Sequence, residues 1–114
     1  MSLAFWAAII CGAWAIINGV LHDIFVLRSE HGKVYNRDLL RLLMDGHILI
    51  TCGVIQVLSA KELEQYNTWA YGIAITAAIS LLVYCAMIWP FLKSMGTIAI
   101  NTALIGILLW NYFQ

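Results

Sequence analysis

Apolar residues in this chain gather into four long blocks instead of alternating with polar ones. The blocks cover residues 3–27, 42–58, 68–89 and 95–113, each close to the roughly 20 residues a helix needs to cross a hydrocarbon core. The first carries Asn18, His22 and Asp23 near its end, and the second encloses Asp45, His47 and Gln56. The third is free of charge, and the fourth contains Asn101 and Asn111. Pro90 closes the third block, and Lys93 with Ser94 predicts a tight reversal into the fourth. The pattern predicts an all-α fold, a four-transmembrane-helix antiparallel bundle with residues 1–114 as a single membrane domain. A three-span arrangement, with the charged second helix lying on the surface, is the alternative.

Composition agrees with the block pattern. Of the 114 residues 63% are hydrophobic and only 11% charged, whereas soluble domains carry about 25% charged residues. A soluble fold of this length has too little interior for that much apolar surface, and a lipid bilayer is the partner that hides it. Six basic and six acidic residues cancel, so no long-range field points to nucleic acid. Cys11, Cys52 and Cys85 fall inside apolar blocks with no metal-like spacing and read as small residues at helix contacts. The first block lacks a basic leading segment and is longer than a signal-peptide core, so it reads as a retained span.

Charge at the block ends predicts orientation. Arg28, Lys33, Arg37 and Arg41 flank the first connection and Lys93 lies in the third, while the second holds only Lys61 beside Glu62 and Glu64. By the positive-inside rule the first and third connections face the cytoplasm. The expectation is a multi-pass protein of the cell (inner) membrane with both termini non-cytoplasmic. Trp6, Tyr66, Trp69, Trp110 and Tyr112 then form an outer aromatic belt, with Tyr35 and Trp89 on the inner side.

Polar residues at membrane depth are costly and usually face the bundle interior or water. Counting about 1.5 Å per residue from the block ends puts His22, Asp23, Asp45 and His47 in one layer near the cytoplasmic boundary. The same count brings Tyr84 and Asn101 to it, so Asn18, His22, Asp23, Asp45, Tyr84 and Asn101 form the candidate polar cluster. At about 100° per residue, Ala4, Ala8, Cys11, Ala15, Asn18 and His22 share one line of the first helix, beside Gly12 and Gly19. Small residues ending in polar ones mark a close-packing seam, while Trp6, Ile10, Ala13, Ile17, Val20 and Ile24 face outward. On the second helix Asp38, Arg41, Asp45, Cys52, Gln56 and Ser59 form a polar stripe. Arg41 and Asp45, spaced i,i+4, are a candidate ion pair. His47 lies nearly opposite Asp45, so the two cannot hold one ion from a single face.

Three function classes follow. The first is a binding, transport or proton-relay role for the cluster, since histidine titrates near neutrality and buried carboxylates shift with their surroundings. The second is a redox subunit with haem b between His22 and His47, where Gly19 and Gly46 leave space for the ring and Arg28 and Arg41 meet the propionates. The third is a non-catalytic partner in a membrane complex; four short helices enclose little interior, which favours a homo-oligomer or another subunit. An enzyme ranks below these, because Asp23 is turned from His22 and no third metal ligand or base-activated nucleophile converges. In length and in having four spans the chain resembles the small multidrug-resistance transporters. It departs from them in the first helix, which lacks their central glutamate, so no membership follows.

The basic asymmetry predicts a labelling pattern. In intact cells, an impermeant thiol reagent should modify a Ser2→Cys variant and leave Lys33→Cys untouched; the reverse pattern would invert the topology.

Overall fold

Two glycine pairs, each seven residues apart, decide how the first half of the chain packs. Gly12 and Gly19 lie on the helix α1 (Leu3–Arg28), and Gly46 and Gly53 on the helix α2 (Arg37–Glu64). In the computed structural model, which describes residues 3–65, 67–90 and 93–113, Gly12 sits against Gly53 and Gly19 against Gly46. A β-carbon added to Gly12 would fall 2.6 Å from the Gly53 carbonyl oxygen, and one on Gly19 2.6 Å from that of Gly46. No larger residue fits at these four points. Pairing the early glycine of one helix with the late glycine of the other also makes α1 and α2 antiparallel. Val26 and Leu39, one heptad beyond Gly19 and Gly46, are both buried and extend the same register.

The second half completes a ring. Helix α3 (Thr68–Ile88) packs on α2, and α4 (Met95–Tyr112) packs on both α3 and α1. All four helices are long and apolar enough to cross a membrane. Asn36 and Asn67 start α2 and α3 by accepting the backbone N–H groups of Leu39 and Trp69 through their side chains, which satisfies donors that a helix start leaves free. Helix α3 stops two residues before Pro90, as a missing N–H and a clashing ring require.

The predicted faces of α1 are the observed ones. Ala4, Ala8, Cys11 and Ala15 are at most 1% exposed, whereas Ile10, Ile17, Val20 and Ile24 lie outside. The core has two parts. Small residues of α1 meet Leu63, Tyr71, Ala74, Leu104 and Leu108 at one end, and Ala15 meets Leu49, Cys52, Ala77 and Leu81 nearer the middle.

Three details depart from the sequence expectations. Helix α2 extends well past residues 42–58 at both ends, because Arg37, Asp38, Lys61 and Glu62 are exposed there and continue the helix in polar surroundings. The first connection contains a 3₁₀ turn, Glu30–Lys33, in which the Ser29 side chain accepts the His31 N–H. Lys93 and Ser94 are not a tight reversal. They end a six-residue connector between Ile88 and Met95, of which Phe91 and Leu92, like Tyr66 in the aromatic belt and Ser2 at the labelled end, lie outside the described residues.

The glycine contacts make a sharp contrast among substitutions. Gly12→Ala or Gly19→Ala should lower thermal stability in detergent by about 1–3 kcal/mol, the cost of overpacking a tight contact. Gly72→Ala and Gly106→Ala, where an added β-carbon meets nothing within 4 Å, should be neutral or slightly stabilising. Equal tolerance at the two sets would mean that α1 and α2 do not meet backbone to backbone.

Candidate functional site

Helix α4 starts high against α1. The Trp14 indole Nε1 donates to Thr97 Oγ1 at 3.3 Å, and Gly96 lies so close to the same ring that a β-carbon there would fall 2.8 Å from Cζ2. Met95, the first residue of α4, is therefore level with about residue 16 of α1. From there α1 continues for roughly twelve residues, or about 18 Å. Between α1 and α3, the space that more α4 would have filled is an open cavity of about 340 Å³. Asn18 and His22 line it from α1, Tyr84 from α3, Lys93 and Ser94 from the connector, and Thr97 from α4, with Trp14 and Leu49 among the apolar walls.

Two carboxylates stand behind the histidine. His22 Nδ1 is 3.4 Å from Asp23 Oδ1, although the two residues project about 100° apart along the helix. The Asp23 carboxylate lies directly on Gly46, where any side chain would collide with it. Thus the glycine of the Asp45–Gly46–His47 run provides the seat for Asp23. Asp45 is within electrostatic reach of both His22 and Asp23, and Tyr84 is within reach of Asp45 and Asp23. Asp45 itself opens on the other side of α3, in a groove with Ile48, Ser80 and Tyr84. Tyr84 therefore borders both spaces. Among the described residues no ion pair joins Arg41 to Asp45; Arg41 is exposed.

Asn101 is elsewhere. It is fully buried one turn beyond Thr97, where its Oδ1 accepts from Gln56 Nε2 at 3.0 Å and from the Cys11 thiol at 3.3 Å. Its Nδ2 donates to the Thr97 carbonyl at 2.9 Å. Counting depth from the start of α4 assumed that all helices begin at one level, and the high start of α4 carries Asn101 away from His22. Hydrogen bonds still link the two regions: Asn18 Nδ2 donates to the Trp14 carbonyl at 2.7 Å, Trp14 to Thr97, and Asn101 to Thr97. A buried node of one thiol and two carboxamides thus lies above the cavity, one turn further along α4.

The structure separates His22 from His47. His47 is exposed on the outer face of α2, with Nε2 3.3 Å from Thr51 Oγ1. Gly19 and Gly46, expected to leave room for a haem, instead press their backbones together, so no porphyrin fits between α1 and α2 at that level. Arg28 and Arg41 are both exposed. Among the described residues no three His, Cys, Asp or Glu side chains converge as a metal site would need.

Trp14, Thr97, Lys93 and Gln56 belong to the site region and escaped the sequence expectations as members of it. One signal for Trp14 was available, since residues 14, 18 and 22 stand four apart on nearly one line of α1. For Thr97 and Lys93 there was none, because their place depends on where α4 begins. Comparison of the chain with protein-family models, curated proteins and solved structures finds no match in any of the three.

Proposed function

We propose that this is a multi-pass membrane protein that binds, and moves, a small polar solute in the cavity beneath α4, with His22 and its neighbouring carboxylates exchanging the accompanying proton. The cavity carries the reading. A space of about 340 Å³ lined by Asn18, His22, Tyr84, Lys93, Ser94 and Thr97 is expensive at membrane depth unless it holds water or a polar ligand. His22 is the titratable group that joins it to Asp23 and Asp45. The cavity lies at the end of the bundle where α4 begins, with Lys93 and Ser94 of the connector in its wall. With the five-to-one basic asymmetry, that end is cytoplasmic and both termini lie on the opposite side.

A second reading has its own observation. His47 and Thr51 are exposed at the depth of the bundle on a face otherwise made of Leu40, Met44, Val54 and Leu58. Polar side chains on a lipid-facing surface favour a protein neighbour, which fits a role as a homo-oligomer or as a subunit of a membrane complex. The two readings are compatible, since the cavity is on the other side of α2.

The solute reading predicts coupling between His22 and Asp45. Purified protein in neutral detergent should gain thermal stability from at least one member of a panel of small charged and neutral solutes. That gain should be lost in His22→Gln and reduced in Asp45→Asn. In the double variant the losses should be far from additive, with a coupling of about 0.5–3 kcal/mol. No stabilising solute, together with additive effects of the two substitutions, would remove the basis for this function.

A further inference from the structure

The charged groups that line the cavity beneath α4 are all basic. Lys93 and His22 border it, and no acidic side chain does among the described residues. The nearest carboxylate, Asp23, is seated on Gly46 and lies 3.4 Å from His22 Nδ1, so it partners the histidine and not Lys93, while Asp45 opens on the groove between α2 and α3. The Lys93 ammonium is 5.8 Å from the centre of the Trp89 ring, and no carboxylate among the described residues lies within ion-pair range of it. A ring face holds a cation in place without neutralising it.

The uncharged polar lining has hydrogens to give. Thr97 Oγ1 already accepts the Trp14 N–H, which leaves its own hydroxyl proton to donate. One Asn18 amide hydrogen goes to the Trp14 carbonyl, and the second remains. The Ser94 side chain makes no capping bond to the helix it precedes and is directed to the Cys85 thiol instead. Tyr84 brings a phenol from the opposite wall. Donors and the Lys93 charge thus meet in one space.

We infer that the cavity selects a small oxyanion, a carboxylate or phosphate-type solute, whose charge is held by Lys93 and whose remaining oxygens meet the hydroxyls of Tyr84 and Thr97 and the Asn18 amide. The volume, near the lower end of the roughly 300–1,000 Å³ typical of ligand pockets, fits a compact solute of this kind. The assignment rests on the reading of the cavity as a solute site and adds the sign of the charge.

Thiol labelling tests both parts separately. In the full chain with Cys11, Cys52 and Cys85 replaced by Ala, Ser94→Cys puts a thiol in the wall with minimal change in size, and Asn18→Cys gives a second position. Two water-soluble methanethiosulfonates, one bearing a sulfonate and one a trimethylammonium, are the probes. Their rates are measured in neutral detergent and normalised to those with a free thiol in solution. The anionic reagent should be favoured on the order of tenfold, as expected for a cleft lined by one sign of charge. Lys93→Gln should cut that preference several-fold. Equal normalised rates, or a preference for the cation, would overturn the anion assignment and leave an accessible cavity standing. A preference that survives Lys93→Gln unchanged would overturn the role given to Lys93. Failure of both reagents at both positions would overturn the inference together with the solute site on which it rests.

Discussion

The close backbone contact between α1 and α2 is the constraint on which the other features depend. At Gly12–Gly53 and Gly19–Gly46 two helices meet with no side chain between them, so dispersion and weak Cα–H···O contacts accumulate along the seam. Such contacts matter most where surrounding lipid would compete with ordinary apolar packing. The register they set puts Cys11 and Gln56 close enough to share Asn101 of α4. It also seats Asp23 on Gly46, and so gathers Asp23, His22 and Asp45 at one end of the pair. Structure and candidate chemistry meet at Gly46, where the same missing side chain admits both the Gly19 backbone and a carboxylate.

The short fourth helix turns that register into a cavity. Gly96 and Thr97 hold the first turn of α4 against Trp14, and the node formed by Asn101 fixes the next turn. Two carboxamides and a thiol are expensive to bury singly, and their mutual hydrogen bonds offset that cost only at one relative height of α1, α2 and α4. A shift of α4 by one turn would leave Asn101, Gln56 and Cys11 unpaired in an apolar interior. The helix cannot slide down to fill the space between His22 and Tyr84, and the space remains.

Much of this is legible in the residues themselves. Block lengths revealed four helices, and the phase of Ala4, Ala8, Cys11 and Ala15 separated the buried face of α1 from Ile10 and Ile17. The same phase put His22 on this side of α1, where it is partly buried and lines the cavity. What failed was depth. Residue counting from block ends treated α4 as starting level with the end of α1, which put Asn101 beside His22 and hid Lys93 and Thr97 from view. Helix heights are relations between segments, and only tertiary contacts such as Trp14–Thr97 determine them. The space imagined for a haem failed for a related reason: a glycine in a helix can admit either a ligand or another backbone, and periodicity does not distinguish the two. The i,i+4 spacing of Arg41 and Asp45 permitted a pair, yet Arg41 extends into the exposed end of α2 instead.

The height of α4 on α1 is therefore the quantity to measure. With Cys52 and Cys85 replaced by Ala, oxidation of Asn101→Cys in native membranes, followed by mass spectrometry of the peptides, reports which level of α1 faces that position. A disulfide to the native Cys11 is the predicted product, because the two side chains already touch at 3.3 Å. In a second variant that also carries Cys11→Ala and Asn18→Cys, position 101 should form no bond to position 18. Efficient bonding to position 18, with none to Cys11 in the first variant, would place α4 near the end of α1. The space beneath it would then be filled, and the cavity and its proposed solute would not exist.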